Sequence, residues 1–207
     1  LNFYSKVART KHQQQDVIER LQQNLSEVEK IVALERERDK CIQKIIKIIE
    51  LYNPTMYHDL KMDIAEEIYE MTLQYSNLNI ELICATITHE SALTWDPEVV
   101  SPAGALGLMQ IIPVTGVKLA AAEGIPWDTP EAVLFNPIYN IQLGCRYLSS
   151  LIKAYSVDGG LAAYNGGERR AELWIRKGRA KGILHAETAF YVPSILRIYK
   201  EFKQITI

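Results

Sequence analysis

The chain has 207 residues and a formal charge of −2 at pH 7, with 48% hydrophobic and 23% charged residues. That balance is ordinary for a globular protein able to bury a core, and the near-neutral charge gives no reason to expect a nucleic-acid partner. Three cysteines, Cys41, Cys84 and Cys145, and four histidines show no metal-ligand spacing and no disulfide framework, so no metal is expected and buried free thiols are.

No apolar run reaches the roughly 18 residues that a membrane span requires, and no secretory leader is visible. The sequence starts at Leu1 rather than Met, which is compatible with a trimmed leader or anchor. From Gln13 to Tyr52 there is neither Gly nor Pro, and Ile18, Leu21, Leu25, Val28 and Val32 alternate spacings of three and four. After polar Glu35 and Asp39 the same phase resumes at Ile42, Ile46 and Ile49. This stripe predicts a long coiled-coil-like helix seeking a partner helix. A second copy of the chain, the following domain or another protein would serve, and an amphipathic helix folding back on its own domain is the plainer alternative.

Asn53-Pro54 stops that helix, because proline disfavours helical geometry in the residue before it. The expected division is therefore an N-terminal helical segment over 1–53, with a spacer or assembly role, and a domain over 54–207. Removal of 1–53 is expected to leave that domain functional. A second helix is predicted from Met56 to Tyr75, a turn over Ser76 to Asn79, and a helix from Ile80 to about Ser91 with Asn79 as N-cap. Ile80, Leu82, Ile83, Ala85 and Ile87 make this last helix apolar on nearly every side, the pattern of a helix at a domain centre. Trp95 to Pro113 reads as an ordered loop, and helical patterns return at Val114–Glu123, Pro137–Tyr155, Gly159–Tyr164, Glu168–Lys177 and Thr188–Phe202. The fold class is all-α, with room for one small β-hairpin.

Glu90 follows Ile83 by seven positions and Ile87 by three, so it shares their apolar face. Desolvation there raises a carboxyl pKa and keeps the group protonated near neutral pH, as protonation of a glycosidic oxygen demands. A buried structural Glu paired with an arginine is the alternative. His89-Glu90 does not begin a zinc-protease HExxH, since Leu93 occupies the second histidine position. The glycines at 104, 107, 166 and 167 form no phosphate loop. Arg169, Arg170, Arg176, Lys177, Arg179 and Lys181 make a basic cluster, either a solvated helix face or a contact for an anionic polymer.

The run Glu90-Ser91-Ala92-Leu93, Trp95-Asp96-Pro97 and Ser101-Pro102-Ala103-Gly104-Ala105-Leu106-Gly107-Leu108-Met109-Gln110 resembles the catalytic-domain signature of the soluble lytic transglycosylases (glycoside hydrolase family 23), relatives of goose-type lysozyme. Ala163-Tyr164-Asn165-Gly166 and Glu187-Thr188 with Tyr191-Val192 resemble two further blocks of that family, in order, so the likeness covers roughly Ile80 to Phe202. Gly167 and Trp95 depart from the usual residues at their positions, and nothing before Pro54 has a counterpart.

The resemblance implies a lysozyme-like domain over 54–207 acting on peptidoglycan glycan strands in the cell envelope or periplasm, without a cofactor. Glu90 would be the single acid/base. Ser91 would hold the carboxylate or substrate in register; Met109, Gln110, Tyr164 and Asn165 would line the sugar cleft; and Glu187 and Tyr191 would bound it, the Tyr191 hydroxyl near Glu90. Asp96 reads as a turn former, so one carboxyl would have to suffice. The substrate N-acetyl group would stabilise the oxocarbenium ion, and the muramyl C6 hydroxyl would close a 1,6-anhydro ring. A lysozyme or chitinase using the same Glu, and a non-enzymatic glycan-binding scaffold assembled through the N-terminal helix, are the competing readings.

Overall fold

The computed structural model describes residues 2–207, and the side chains of all of these except 2–5, 10–13, 16 and 17. Leu1, at the head of the expected N-terminal segment, lies outside the described residues. Among the described residues eight helices follow in order: α1 (Asn2–Tyr52), α2 (His58–Gln74), α3 (Ile80–Glu90), α4 (Pro113–Glu123), α5 (Pro130–Leu134), α6 (Pro137–Gly166), α7 (Glu168–Arg176) and α8 (Ala186–Lys203). Among the described residues there is no strand. The expected hairpin is reduced to two isolated antiparallel bridges, Val100 with Leu106 and Leu106 with Ile111.

The chain divides into two compact units, Leu1–Lys40 and Cys41–Ile207. The first is helical, and its stripe residues Ile18, Leu21, Leu25, Val28 and Val32 are 41–60% exposed. In the second, the stripe enters a core: Ile42, Ile46 and Ile49, with Ile45 and Ile48, are buried. The compact unit thus begins twelve residues before the Asn53-Pro54 break from which the sequence suggested a boundary. Pro54 ends a helix whose last turns are already part of the core. Lys61, buried, fastens this end by donating to Pro54 O at 3.2 Å and Glu50 at 3.3 Å, and Lys44 pairs with Glu81 of α3 at 2.6 Å.

Helix α3 is the centre: every residue from Leu82 to Thr88 is buried. It packs mainly on α8, while α6 receives α2, α4, α5, α7 and α8 around it. The two helical patterns expected at 137–155 and 159–164 are parts of α6, separated where Ser156 takes φ 65° and ψ 176°. Short α5 is an addition, started by the Thr129 side chain accepting the Ala132 N–H with Pro130 in the first turn. The thiols of Cys84 and Cys145 are free and fully buried. The Cys145 sulfur lies 4.0 Å from that of Met109, which occupies space that only Gly144 leaves open.

Candidate active site

Glu90 is the last residue of α3, a helix fixed at its start by Asn79, whose side chain accepts the Leu82 N–H at 3.0 Å. Beyond Glu90 the backbone turns abruptly, and Ala92, Leu93 and Trp95 all take positive φ, between 51° and 65°. Such conformations cost non-glycine residues on the order of 1–3 kcal/mol each and persist only where surrounding contacts over-determine them. The contacts here are specific. Leu93 N–H reaches Thr88 O at 2.9 Å, and Trp95 N–H reaches Ser91 Oγ at 3.1 Å. The Trp95 indole donates to Thr88 Oγ1 at 2.9 Å, and Asn53 donates to Trp95 O at 3.4 Å. Thr88 and Asn53 carry no motif signal; they hold the turn that follows the acid.

The Glu90 residue is partly exposed, yet its carboxyl is set deeply enough that burial pushes its pKa up to about 8. The Tyr191 phenol donates to Oε1 and opposes that rise, while the nearby charge of Glu187 adds to it. A carboxyl titrating there carries its proton at neutral pH. Among the described residues no salt bridge involves Glu90, so a structural Glu–Arg pair does not account for it.

Tyr191, buried on α8, stacks edge-on against His89 with ring centroids 4.8 Å apart. One turn earlier, exposed Glu187 accepts from Asn165 Nδ2 at 3.3 Å, and Thr188 donates to Asn165 Oδ1 at 2.7 Å. Asn165 is thereby held through both ends of its amide, and Thr188 joins the site as a residue that sequence reading had treated only as part of a motif. Tyr164 donates to Met109 O at 2.8 Å, and burial, with the nearby Glu90 carboxylate adding to it, raises its own pKa. Gln110, Ile112, Thr115, Tyr147, Tyr164 and Asn165 line a cleft of about 290 Å³. Glu90 is not in that lining; Tyr164 and the Asn165–Glu187 pair connect it to the cleft.

Two expected substrate contacts have other placements. Ser91 is fully buried, and its hydroxyl accepts the Trp95 N–H rather than facing the cleft. The Met109 side chain is likewise fully buried, and only its backbone carbonyl reaches the site, through Tyr164. Gln110 does line the cleft, at φ 48°, with its amide nitrogen donating to Val99 O at 3.0 Å and Gly107 O at 2.9 Å.

The loop carrying Gln110 is anchored by Asn140, which sequence reading missed. Fully buried on α6, Asn140 accepts from Met109 N at 2.7 Å and donates to Leu106 O at 2.9 Å and Leu134 O at 2.8 Å. One amide thus satisfies three backbone groups of two separate segments. Gly107 allows it to do so: φ is +79°, and a β-carbon would collide with Leu134 O and the Asn140 amide. An Asn inside an otherwise apolar helical stretch was the only available signal.

The profile of the family described as "Transglycosylase SLT domain" matches residues 67–186. A soluble lytic murein transglycosylase relative from Haemophilus influenzae is 35% identical over 140 residues, 63% of this chain and 23% of that protein. The soluble lytic murein transglycosylase of Escherichia coli is 33% identical over 122 residues, 54% of this chain and 19% of that protein. The chain therefore spans about a quarter or less of these relatives. Among solved structures, an inactive mutant of the lytic transglycosylase Slt from Pseudomonas aeruginosa superposes with a TM-score of 0.60 at 26% identity, covering 72% of this chain and 24% of that one. The 70-kDa soluble lytic transglycosylase in complex with bulgecin A gives a TM-score of 0.60 at 29% identity, covering 76% and 26%. With motif order, fold and profile in agreement, the chain belongs to the transglycosylase SLT domain family.

Proposed function

We propose that this domain is a peptidoglycan lytic transglycosylase of the cell envelope, cleaving the β-1,4 bond between N-acetylmuramic acid and N-acetylglucosamine with Glu90 as its single acid/base. The observation that carries the reading is the Glu90 carboxyl, raised to about 8 by burial and oriented by Tyr191. Glu90 gives its proton to the glycosidic oxygen as the C1–O bond breaks. The substrate N-acetyl carbonyl stabilises C1, and the Tyr191 hydrogen bond stabilises the carboxylate left behind. That carboxylate then removes the proton of the muramyl C6 hydroxyl as its oxygen bonds to C1. The proton count closes and no water is consumed.

The other carboxylates near the motif have duties elsewhere. Asp96 accepts the Glu98 N–H at 3.0 Å, a turn former, and Glu187 is paired with Asn165. A tethered C6 hydroxyl also has an entropic advantage over bulk water. Mass spectrometry of a peptidoglycan digest, with and without borohydride, tests the reading. Non-reducing products one water lighter than lysozyme products are expected. Predominantly reducing ends would make the enzyme a hydrolase, and digestion by Glu90→Gln at the wild-type rate would remove Glu90 from the chemistry.

A further inference from the structure

The last two residues of α3 meet the same phenol at two different places. Glu90 accepts from the Tyr191 hydroxyl, while the His89 ring packs edge-on against the Tyr191 ring, with centroids 4.8 Å apart and planes at 77°. Consecutive helical positions leave the axis about 100° apart, and Tyr191, fully buried on α8, spans that angle. His89 is half-buried, and burial lowers its pKa below the ordinary 6.5, so it is neutral at pH 7. Among the described residues no hydrogen bond or ion pair engages its imidazole. The proposed reaction leaves it no proton to move; what it offers the site is a flat ring.

We infer that His89 is a positioning residue acting through Tyr191: its ring fixes the plane of the phenol and thereby aims the hydroxyl at Glu90 Oε1. This role rests on the proposed transglycosylase reading. A phenolic O–H lies close to the plane of its ring, because an oxygen lone pair conjugates with the ring. Rotation about Cβ–Cγ therefore leaves the oxygen in place and swings its proton off the acceptor, and a hydrogen bond weakens steeply as its angle closes. The tyrosine χ2 torsion is itself broad and soft, so neighbours must set the plane. Edge-to-face packing is directional, since ring edges and faces carry opposite partial charge. His89 supplies that packing from the same helix end that carries the acceptor, so ring plane and carboxyl are fixed by one rigid element.

An NMR titration of the full chain, isotope-labelled at its glutamate carboxyls, follows Glu90 without turnover, alongside kcat and KM on glycan strands. The titratable groups around Glu90 are Tyr191 and Glu187 of α8, Tyr164 of α6 and its neighbour His89 on α3. His89→Ala and His89→Leu should lower kcat by about threefold to tenfold, the range of a directional aromatic pair, and leave KM nearly unchanged. In both variants the Glu90 titration should move up from about 8, since a misaimed donor no longer favours the carboxylate. His89→Phe keeps the flat ring without the nitrogens and should restore both values. In a Tyr191→Phe background, His89→Leu should change neither, because the hydroxyl it aims is gone. An unmoved titration in folded His89→Leu, a full additional loss in the Tyr191→Phe background, or no rescue in His89→Phe overturns the inference and leaves the transglycosylase reading intact. Wild-type protein that cleaves no strand while the titrations shift as expected overturns that reading and leaves the link from His89 to Glu90 standing.

Discussion

Tyr191 and Glu90 stand 101 positions apart in sequence and meet in one hydrogen bond, the phenol donating to Oε1. At neutral pH Glu90 is a carboxylic acid, so an oxygen that accepts from a phenol is the carbonyl-type one. Tyr191 thereby assigns the acidic proton to Oε2, the oxygen left free to serve the leaving group. The same bond favours the ionised form, the form reached halfway through the proposed reaction.

Tyr191→Phe should therefore act on rate and titration together. Losing the donor removes a hydrogen bond that holds down the Glu90 pKa, about 8 in the wild type, so the alkaline limb expected in kcat/KM should move upward. The rate should fall by about 10²-fold, a typical loss for a misplaced acid/base group. A pH–rate profile across pH 5–10 reads both. An unmoved or lowered limb would contradict the role given to Tyr191.

Glu90→Gln should stabilise the fold in a pH-dependent way. The folded-state pKa, about 8, lies above the ordinary value of 4.5, so between these values the native state holds a proton that the unfolded chain releases. Wild-type stability from this source is fully present below about 4.5 and is lost as pH rises to about 8. Glutamine carries no such penalty. The variant should match the wild type in acid and exceed it above pH 8, by on the order of 2 kcal/mol once residual solvent access is discounted. Thermal melts at pH 4 and pH 9 decide this, and an equal difference at both would refute it.

Asn140→Leu fills nearly the same volume and leaves Met109 N and Leu134 O without their partner, while Leu106 O keeps the Ile111 N–H at 3.0 Å. Each orphaned backbone group costs about 1–3 kcal/mol, so a loss of roughly 2–6 kcal/mol is expected, together with a looser Gln110 loop. Denaturant unfolding measures the first, and proteolysis between Val99 and Ile112 reports the second.

Truncation separates the two compact units. Removing residues 1–40 should leave a folded domain, whereas removing 1–53 strips away five buried isoleucines, each worth about 2–5 kcal/mol against a total stability of about 5–15, and also the Asn53–Trp95 contact. Removing 1–40 also takes away the exposed stripe from Ile18 to Val32, so if its partner is a second copy of the chain, rather than the following domain or another protein, self-association should be lost with it. Sedimentation of both forms across a concentration series would show it, and a concentration-independent monomer for the full chain would exclude the pairing.

Much of this was legible because local rules and the fold agree. Asn79 caps α3, the apolar run of α3 is the core, and Pro54 stops α1. The burial of the Glu90 carboxyl at the end of α3 followed from helical periodicity. What stayed hidden depends on tertiary contact. No local rule marks Ala92, Leu93, Trp95 and Gln110 as left-handed, since none is glycine. The burial that redirects Ser91 and Met109 comes from loops closed across the domain. Asn140 works through residues 31 and 34 positions away. The phase of the α1 stripe was readable, but not that Cys41–Tyr52 joins the core while the repeat before it stays exposed.

The buried sulfur of this domain ties its chemical durability to its fold. Burial holds the Cys84 and Cys145 thiols well above their ordinary range, so neither supplies the thiolate that oxidation or exchange requires. Unfolding releases both to an ordinary pKa of about 8.5 beside a chain that also carries Cys41. In an oxidising medium every excursion to the unfolded state would then compete with disulfide mispairing, and heat inactivation in air would become irreversible well before it does under reductant. The compartment proposed for this enzyme is one in which it survives chemically only by remaining folded.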